Sequence, residues 1–356
     1  MHAQGERGKR LASPVGFRYS FSVRVTVIVP VRDGTVTPSC IAFVQTSKYP
    51  QEMVEILIVA GDSPSAQRNL AAENAAGEIL YFIDDDSMLD ARAIQRLVEA
   101  FADYPEIAGV GGPSIGVSSG SLFQKCAAMA MGSLFGFGPA RHRHYPTGCP
   151  RIGGENELIL SNLAIRKTVW QRYGGFDTRL YPNEENEWIR RLENSGQRFL
   201  YHPGVIVSRP TRETLSQLAA QVFRYGKSRA KHMRIAASAL NVLLLLPALL
   251  VGYVLSAVPG AVLLLQLDEN VLSIGAKLLL VIFLALPIAF YVSLCVGASL
   301  YAGLSVRKKK FRTFFWHLAI FPTLHFGYGA GWIRGCFGPI QKIQASEIHL
   351  HARRCC

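Results

Sequence analysis

The sequence has no CxxC pair, and its seven cysteines (Cys40, Cys126, Cys149, Cys295, Cys336, Cys355 and Cys356) show no zinc-ligand spacing. A zinc-built or disulfide-stapled scaffold is therefore excluded, and reduced thiols are expected. Lipid attachment at the terminal Cys355 and Cys356 is the minor alternative. The first 22 residues carry basic side chains but lack the apolar core of a signal peptide, so the first domain is expected on the cytoplasmic side. Internal repeats and low-complexity stretches are missing too, which excludes a repeat array. Acidic residues are few beside basic ones, 25 against 38, giving a formal net charge of +13. Such an excess suits nucleic acid, an anionic bilayer or a phosphorylated substrate.

Charge itself is missing from two long stretches. Residues 235–267 and 278–306 contain no charged side chain, and each exceeds the roughly 20 residues that one membrane crossing needs. The sequence predicts two spans, with Pro259 and Gly260 breaking or ending the first helix. The acidic stretch Asp268-Glu269-Asn270 lies between them, and cations precede the first and follow the second, which puts both outer ends in the cytoplasm. Residues 313–333 form a third span or a re-entrant or interfacial segment, His317 and His325 weakening the first option. The basic, amphipathic stretch 215–233 fits a membrane surface. Because the cations gather beside the apolar runs, nucleic acid is not an expected partner.

What is present upstream is alternation. "VTVIVPV" and "VEILIVA" read as buried strands, "PSCIAFVQTSKY" and "SAQRNLAAENAA" as helices, "EILYFI" as a third strand and "IAGVGGP" as a fourth. Asp90 is a candidate N-cap for a helix burying Ile94, Leu97, Val98 and Phe101. Strand–helix alternation with continuously apolar strands implies an α/β fold with a mostly parallel sheet covered on both faces. In such sheets ligands bind beyond the carboxyl ends of the strands.

The third strand ends in Asp84, Asp85 and Asp86. Three carboxylates at a strand end are tolerable where a positive group sits among them, and a hard divalent cation takes such oxygen ligands. Along an extended chain Asp84 and Asp86 point to one side and Asp85 to the other, so the first two are the pair able to share a ligand. The alternative is a solvated acidic turn. A second cluster, Glu184, Glu185 and Glu187, opens a helix-like stretch, where acids are also ordinary dipole partners. Together the clusters suit a reaction needing a metal and a general base. His202 is read as a structural histidine, and "RHRH" (141–144) as a solvated loop or a mobile basic loop over the substrate.

These stretches resemble a family 2 glycosyltransferase of the GT-A (Rossmann-like) fold. "VTVIVPVRDG" resembles its opening strand, "SAQRNLAAENAAGEILYFIDDDS" its arginine–asparagine helix and DxD motif, "GGFDTRLYPNEENEW" its acidic base segment, and "QVFRYGKSRA" its QxxRW-type motif. The likeness covers roughly residues 23–233, and the tail resembles the succinoglycan-type exopolysaccharide transferases. The resemblance implies a tail (1–22), a GT-A domain (23–212), an interfacial segment (213–234), a transmembrane region (235–333) and a tail (334–356). It implies that Asp86, with Asp84, holds Mg2+ or Mn2+. Pro30, Arg32, Asp33, Asp62, Arg68, Asp84 and Asp85 would serve the nucleotide-sugar, a UDP-linked donor. Glu185 would be the base, with Glu184 as the other candidate because glutamate stands where aspartate is common. Arg224 would meet the leaving diphosphate, while Gln221 and Tyr225 would form the acceptor lid, tyrosine replacing tryptophan.

The implied protein is a multi-pass inner-membrane enzyme with a cytoplasmic catalytic domain and a lipid or lipid-linked acceptor. A processive polysaccharide synthase is one rival, and a non-catalytic scaffold carrying the same motifs is another.

Overall fold

The computed structural model describes residues 22–33, 38–235, 242–339 and 349–354. Residues 1–21 of the N-terminal tail and, in the C-terminal tail, 340–348 with Cys355 and Cys356 lie outside the described residues. The strands are β1 (Val25–Val31), β2 (Val54–Ala60), β3 (Ile79–Ile83), β4 (Met88–Leu89), β5 (Ile107–Gly111), β6 (Ser114–Gly116), β7 (Arg151–Gly153), β8 (Asn162–Arg166), β9 (Arg198–Tyr201), β10 (Val207–Arg209) and β11 (His349–Arg354). The helices are α1 (Cys40–Gln45), α2 (Pro64–Asn74), α3 (Ala93–Asp103), α4 (Leu122–Met131), α5 (Leu134–Phe137), α6 (Lys167–Tyr173), α7 (Glu184–Asn194), α8 (Leu215–Ile235), α9 (Leu246–Gln266), α10 (Ile274–Ser305) and α11 (Lys310–Phe337). The described residues form two compact units: those within 1–120, 131–211 and 339–356 in one, and those within 121–130 and 212–338 in the other.

The first unit is an eight-stranded mixed sheet ordered β11-β2-β1-β3-β8-β5-β9-β7, with a small sheet β4-β10-β6. The parallel β2-β1-β3 half follows from the strand–helix alternation. The fourth strand of the sequence reading, β5, does not pair with β3. Antiparallel β8, from the later Gly- and Pro-rich region, separates them.

Strand residues divide by parity. Val25, Val27, Val29, Ile79, Tyr81 and Ile83 pack with α1 and α3, while Ile28, Leu80 and Phe82 pack with α2, α6 and α7. Both faces are dry, and fully burying such a side chain stabilises by about 1.5–3 kcal/mol. The second face ends in an aromatic group: Phe82, Trp170, Phe176 and Trp188 have ring centroids 5.0–5.9 Å apart. By this parity Asp84, next after Phe82, emerges on the side of α2 and α7.

Asp90 is not the N-cap of α3. That position is Arg92, and the Asp90 carboxylate instead accepts from the Arg92 backbone N–H (3.0 Å) and the Arg96 guanidinium (2.9 Å).

In the second unit α8 packs along α11. Gly327, Gly331 and Gly335 recur every four residues, the spacing that lets helix backbones approach closely. A methyl group at Gly331 would fall inside the Phe223 carbonyl, and one at Gly226 inside the Tyr328 carbonyl. The α8 residues Leu218, Val222, Gly226 and Ala230 are buried. Among the described residues two helices, α9 and α10, are long and apolar enough to cross a membrane. They expose many large apolar side chains, among them Leu255, Leu279, Phe283 and Phe290. Helix α9 runs through Pro259 to Gln266 without breaking, contrary to the sequence expectation. A proline removes one backbone donor and crowds the preceding turn, which a helix can absorb. Residues 313–333 belong to one 28-residue helix, α11, interrupted nowhere at Pro322.

Candidate active site

The acidic strand end closes in a turn rather than an extended run: Ser87 N–H donates to the Asp84 carbonyl at 3.1 Å, and the Ser87 hydroxyl accepts from Asp84 N–H at 3.1 Å. This turn, not strand alternation, brings Asp84 and Asp86 to one side. Both carboxylates meet one guanidinium. Arg209 reaches Asp84 Oδ2 at 2.6 Å, and Asp86 Oδ1 and Oδ2 at 2.6 and 3.3 Å. Asp85 turns its main chain to α1, its carbonyl accepting from Cys40 N–H (3.1 Å) and the Ser39 hydroxyl (3.0 Å). Burial, with the neighbouring Asp86 and Asp84 charges, pushes the Asp85 carboxyl above its ordinary pKa.

The α2 arginine completes the group. Arg68 is buried and donates to Asp84 Oδ1 at 2.7 Å and to Glu184 Oε1 at 2.9 Å. Its neighbour Asn69 clamps the Gly-Gly-Phe-Asp segment: the amide donates to the Phe176 carbonyl and accepts from Phe176 N–H, both at 2.9 Å. A side chain at Gly175 would collide with Asn69 and Trp170. The arginine–asparagine pair thus ties strand end, loop and acidic helix together.

Helix α7 follows Asn183, which has a left-handed backbone (φ 108°). Its first turn buries three glutamates, and each has its own arginine. Glu184 pairs with Arg68, Glu185 with Arg143 at 3.5 Å, and Glu187 with Arg191 at 2.8 Å. Glu187 is paired within its own helix, and its partner Arg191 also donates to the Gly175 carbonyl. Glu184 and Glu185 are paired from other elements. Burial raises the Glu184 carboxyl to about 7; Arg68 opposes the shift and Glu185 adds to it.

Arg143 also donates to Asn186 Oδ1 and the Glu155 carbonyl. The 141–144 stretch is accordingly a half-buried, hydrogen-bonded segment and not a solvated loop. Residues Gly138–Arg143 form a 3-10 turn. Burial lowers His142 to about 4 and His144 to about 3, with Arg151 and Arg143 adding to the effect, so both rings are neutral at physiological pH. His202 closes a turn, its Nδ1 accepting from Gly204 N–H at 3.1 Å.

Pro30 lies in buried β1, paired with Val59. Arg32 and Asp33 are exposed just past it, and Asp62 is exposed past β2. Gln67 of α2 joins the two strand ends through its amide, donating to Val31 and Val59 carbonyls at 2.8 and 2.5 Å. Gln221, Arg224 and Tyr225 belong to α8 in the second unit. Arg224 is exposed there, and the Gln221 amide donates to the Tyr225 hydroxyl at 2.9 Å.

Among the described residues no group of three or more His, Cys, Asp and Glu could hold a metal. Asp84 and Asp86 still fit a divalent cation that completes its shell with substrate phosphates and water, as Mg2+ does: their hard oxygens converge on a single positive group.

Sequence reasoning missed Arg209, and it met Arg143 and Asn69 only as members of longer stretches, without a role of their own. Asn69 stood in the quoted motif beside Arg68. Arg209 has a register signal only once β10 is known to pair antiparallel with β4: Ser208 lies opposite Met88, so the next residue falls beside Ser87 and Asp86. Arg143 stands in the conspicuous RHRH run, but nothing local points to Glu185 as its partner.

The glycosyltransferase-like family 2 profile matches residues 15–228, more than half of the chain. The succinoglycan biosynthesis protein ExoA of Rhizobium meliloti (strain 1021) is 26% identical over 248 residues, 69% of this chain and 67% of the relative. The solved mannosyltransferase PcManGT from Pyrobaculum calidifontis, in complex with GDP-Man and Mn2+, shares 16% identity at a TM-score of 0.52, over 93% of this chain and 91% of its own. With a GT-A-type mixed sheet, a matching family profile and such relatives, the chain belongs to glycosyltransferase-like family 2.

Proposed function

We propose that the protein is a membrane-anchored, inverting glycosyltransferase that uses Mg2+ or Mn2+. It moves a sugar from a nucleotide-sugar donor, UDP-linked, to a polyprenyl-type or other lipid acceptor in exopolysaccharide or glycolipid synthesis. The observation that carries this reading is the Arg68 bridge, in which one buried guanidinium joins strand-end Asp84 to Glu184 of the acidic helix. Carboxylates suited to the donor end and to proton transfer therefore form a single constellation. ExoA supports the exopolysaccharide setting by its role in succinoglycan biosynthesis. PcManGT, solved with GDP-Man and Mn2+, is in keeping with a nucleotide-sugar donor and a divalent cation. Helices α9 and α10 supply the anchor, and α8 is assigned to the cytoplasmic membrane surface.

Asp86 and Asp84 would hold the cation, which supplies positive charge to the departing diphosphate. Pro30, Arg32, Asp33, Asp62 and Asp85 are assigned to the nucleotide side. Arg68 holds Asp84 and Glu184 in place. Glu185 takes the proton of the acceptor hydroxyl as its oxygen bonds to the anomeric carbon and the bond to the diphosphate oxygen breaks. Arg143, 3.5 Å from Glu185, holds its carboxylate in position. Arg224 is assigned to the leaving-group charge, and Gln221 with Tyr225 to the acceptor.

The test is nucleotide release by the full chain in membranes, screened over UDP- and GDP-sugars with and without lipid acceptors. Acceptor-dependent release, lost in excess chelator and in both Asp86→Ala and Glu185→Gln, is expected. Wild-type turnover by both variants would overturn the site assignment.

A further inference from the structure

The Asp84–Asp86 pair is not empty of positive charge. Three contacts, at 2.6, 2.6 and 3.3 Å, join its oxygens to Arg209, and Arg68 takes the remaining Asp84 oxygen at 2.7 Å. The two arginines are unequal. Arg68 is buried with its side chain 5% exposed, whereas Arg209 is 27% and Asp86 41% exposed. A pair of that exposure is reached by solvent and couples weakly, while a buried pair resists separation. Arg209 also ends β10, only a few residues before α8 begins, so its side chain stands at the end of an element and not within a packed layer.

We propose that Arg209 is the resident counter-ion of the candidate cation site and competes with the divalent cation for Asp84 and Asp86. Its guanidinium holds the two like charges together before the cation arrives. Cation entry requires Arg209 to release Asp86, which leaves a guanidinium beside the site, where its fork of donors matches phosphate oxygens. Arg68 stays, because its release would strand buried Glu184. Arg209 thus sets the threshold for cation binding, and Arg68 does not. This inference rests on the metal-dependent reading given above.

The experiment measures Mn2+ binding without nucleotide, by the EPR signal of free Mn2+, on the full chain in nanodiscs. Wild type, Arg209→Gln, Arg209→Lys and Asp86→Asn are compared. Arg209→Gln is expected to bind Mn2+ several-fold more tightly than wild type, and Arg209→Lys to fall between them, since an ammonium keeps the charge without the fork. Asp86→Asn is expected to lose the site. A larger Mn2+-induced rise in melting temperature for Arg209→Gln than for wild type is the second readout, valid even if that variant is less stable. Unchanged or weaker Mn2+ binding in Arg209→Gln, with loss in Asp86→Asn, would overturn the competition alone. Absence of Mn2+ binding in every form, or binding indifferent to Asp86, would overturn the metal reading and the competition with it.

Discussion

Arg68 and Glu184 meet at 2.9 Å across 116 residues of sequence, both buried. Removing the guanidinium would leave a carboxylate without its counter-charge in a dry site. Arg68→Met is therefore expected to destabilise the first unit by about 3–5 kcal/mol, the usual result of breaking one side of a buried pair. Adding Glu184→Gln should restore much of that loss. Denaturant melts of the single and double variants measure both effects.

The raised Glu184 carboxyl gives stability a pH slope of known sign. Its pKa is about 7 in the folded protein against an ordinary value of 4.5. The folded state thus holds this proton more tightly than the unfolded state does. The contribution is fully present below about 4.5 and is lost as pH rises through about 7. Glu184→Gln, which cannot ionise, should not show this loss. Thermal melts of both proteins between pH 5 and 8 should diverge, the wild type losing stability relative to the variant.

Glu185→Gln should lower kcat by about 10²–10⁴-fold, the range for a lost general base, with donor KM and the melting temperature nearly unchanged. Arg143→Ala should lower kcat in the same direction but less, and Arg143→Lys should recover part of the loss. Steady-state assays with saturating acceptor separate these effects. A Glu185→Gln enzyme with normal kcat would move the base assignment to Glu184.

Helix contact in the second unit predicts a sharp contrast among glycines. Gly331→Ala and Gly226→Ala place a methyl group against facing backbone carbonyls and should cost about 1–3 kcal/mol, as overpacking does. Gly252→Ala and Gly297→Ala meet nothing within 4 Å and should be neutral or slightly stabilising through helix propensity. Thermal unfolding of the four variants in detergent decides this.

Much of the fold was legible because its signals are local. The strands β1, β2 and β3 are continuous apolar runs, and α3 buries Ile94, Leu97, Val98 and Phe101 at helical spacing. The intrusion of β8 between β3 and β5 was not legible, because strand order depends on pairing between segments far apart in sequence. The site divides in the same way. Asp84, Asp86 and Glu184 stood in conspicuous acidic clusters, and Arg68 in the helix before the first of them. Arg209 is a single arginine significant only through register, and Arg143 stands in the RHRH run but gains its partner only through a 3-10 turn. The sequence argument for pairing Asp84 with Asp86 assumed an extended chain; the hydrogen-bonded turn at Ser87 reaches the same pairing by another route.

Strand β11 runs antiparallel along β2, His349 beside Ala60 and Arg354 beside Glu55. During synthesis β2 emerges early, and its outer edge must wait for the last described residues of the chain before it gains this neighbour. Until then the Val54–Ala60 edge offers unpaired backbone donors and acceptors to any strand nearby. The long apolar helices are translated in that same interval, so the order of synthesis leaves an adhesive sheet edge and long apolar segments exposed together. Membrane insertion during translation would take the helices out of solution before the edge is closed.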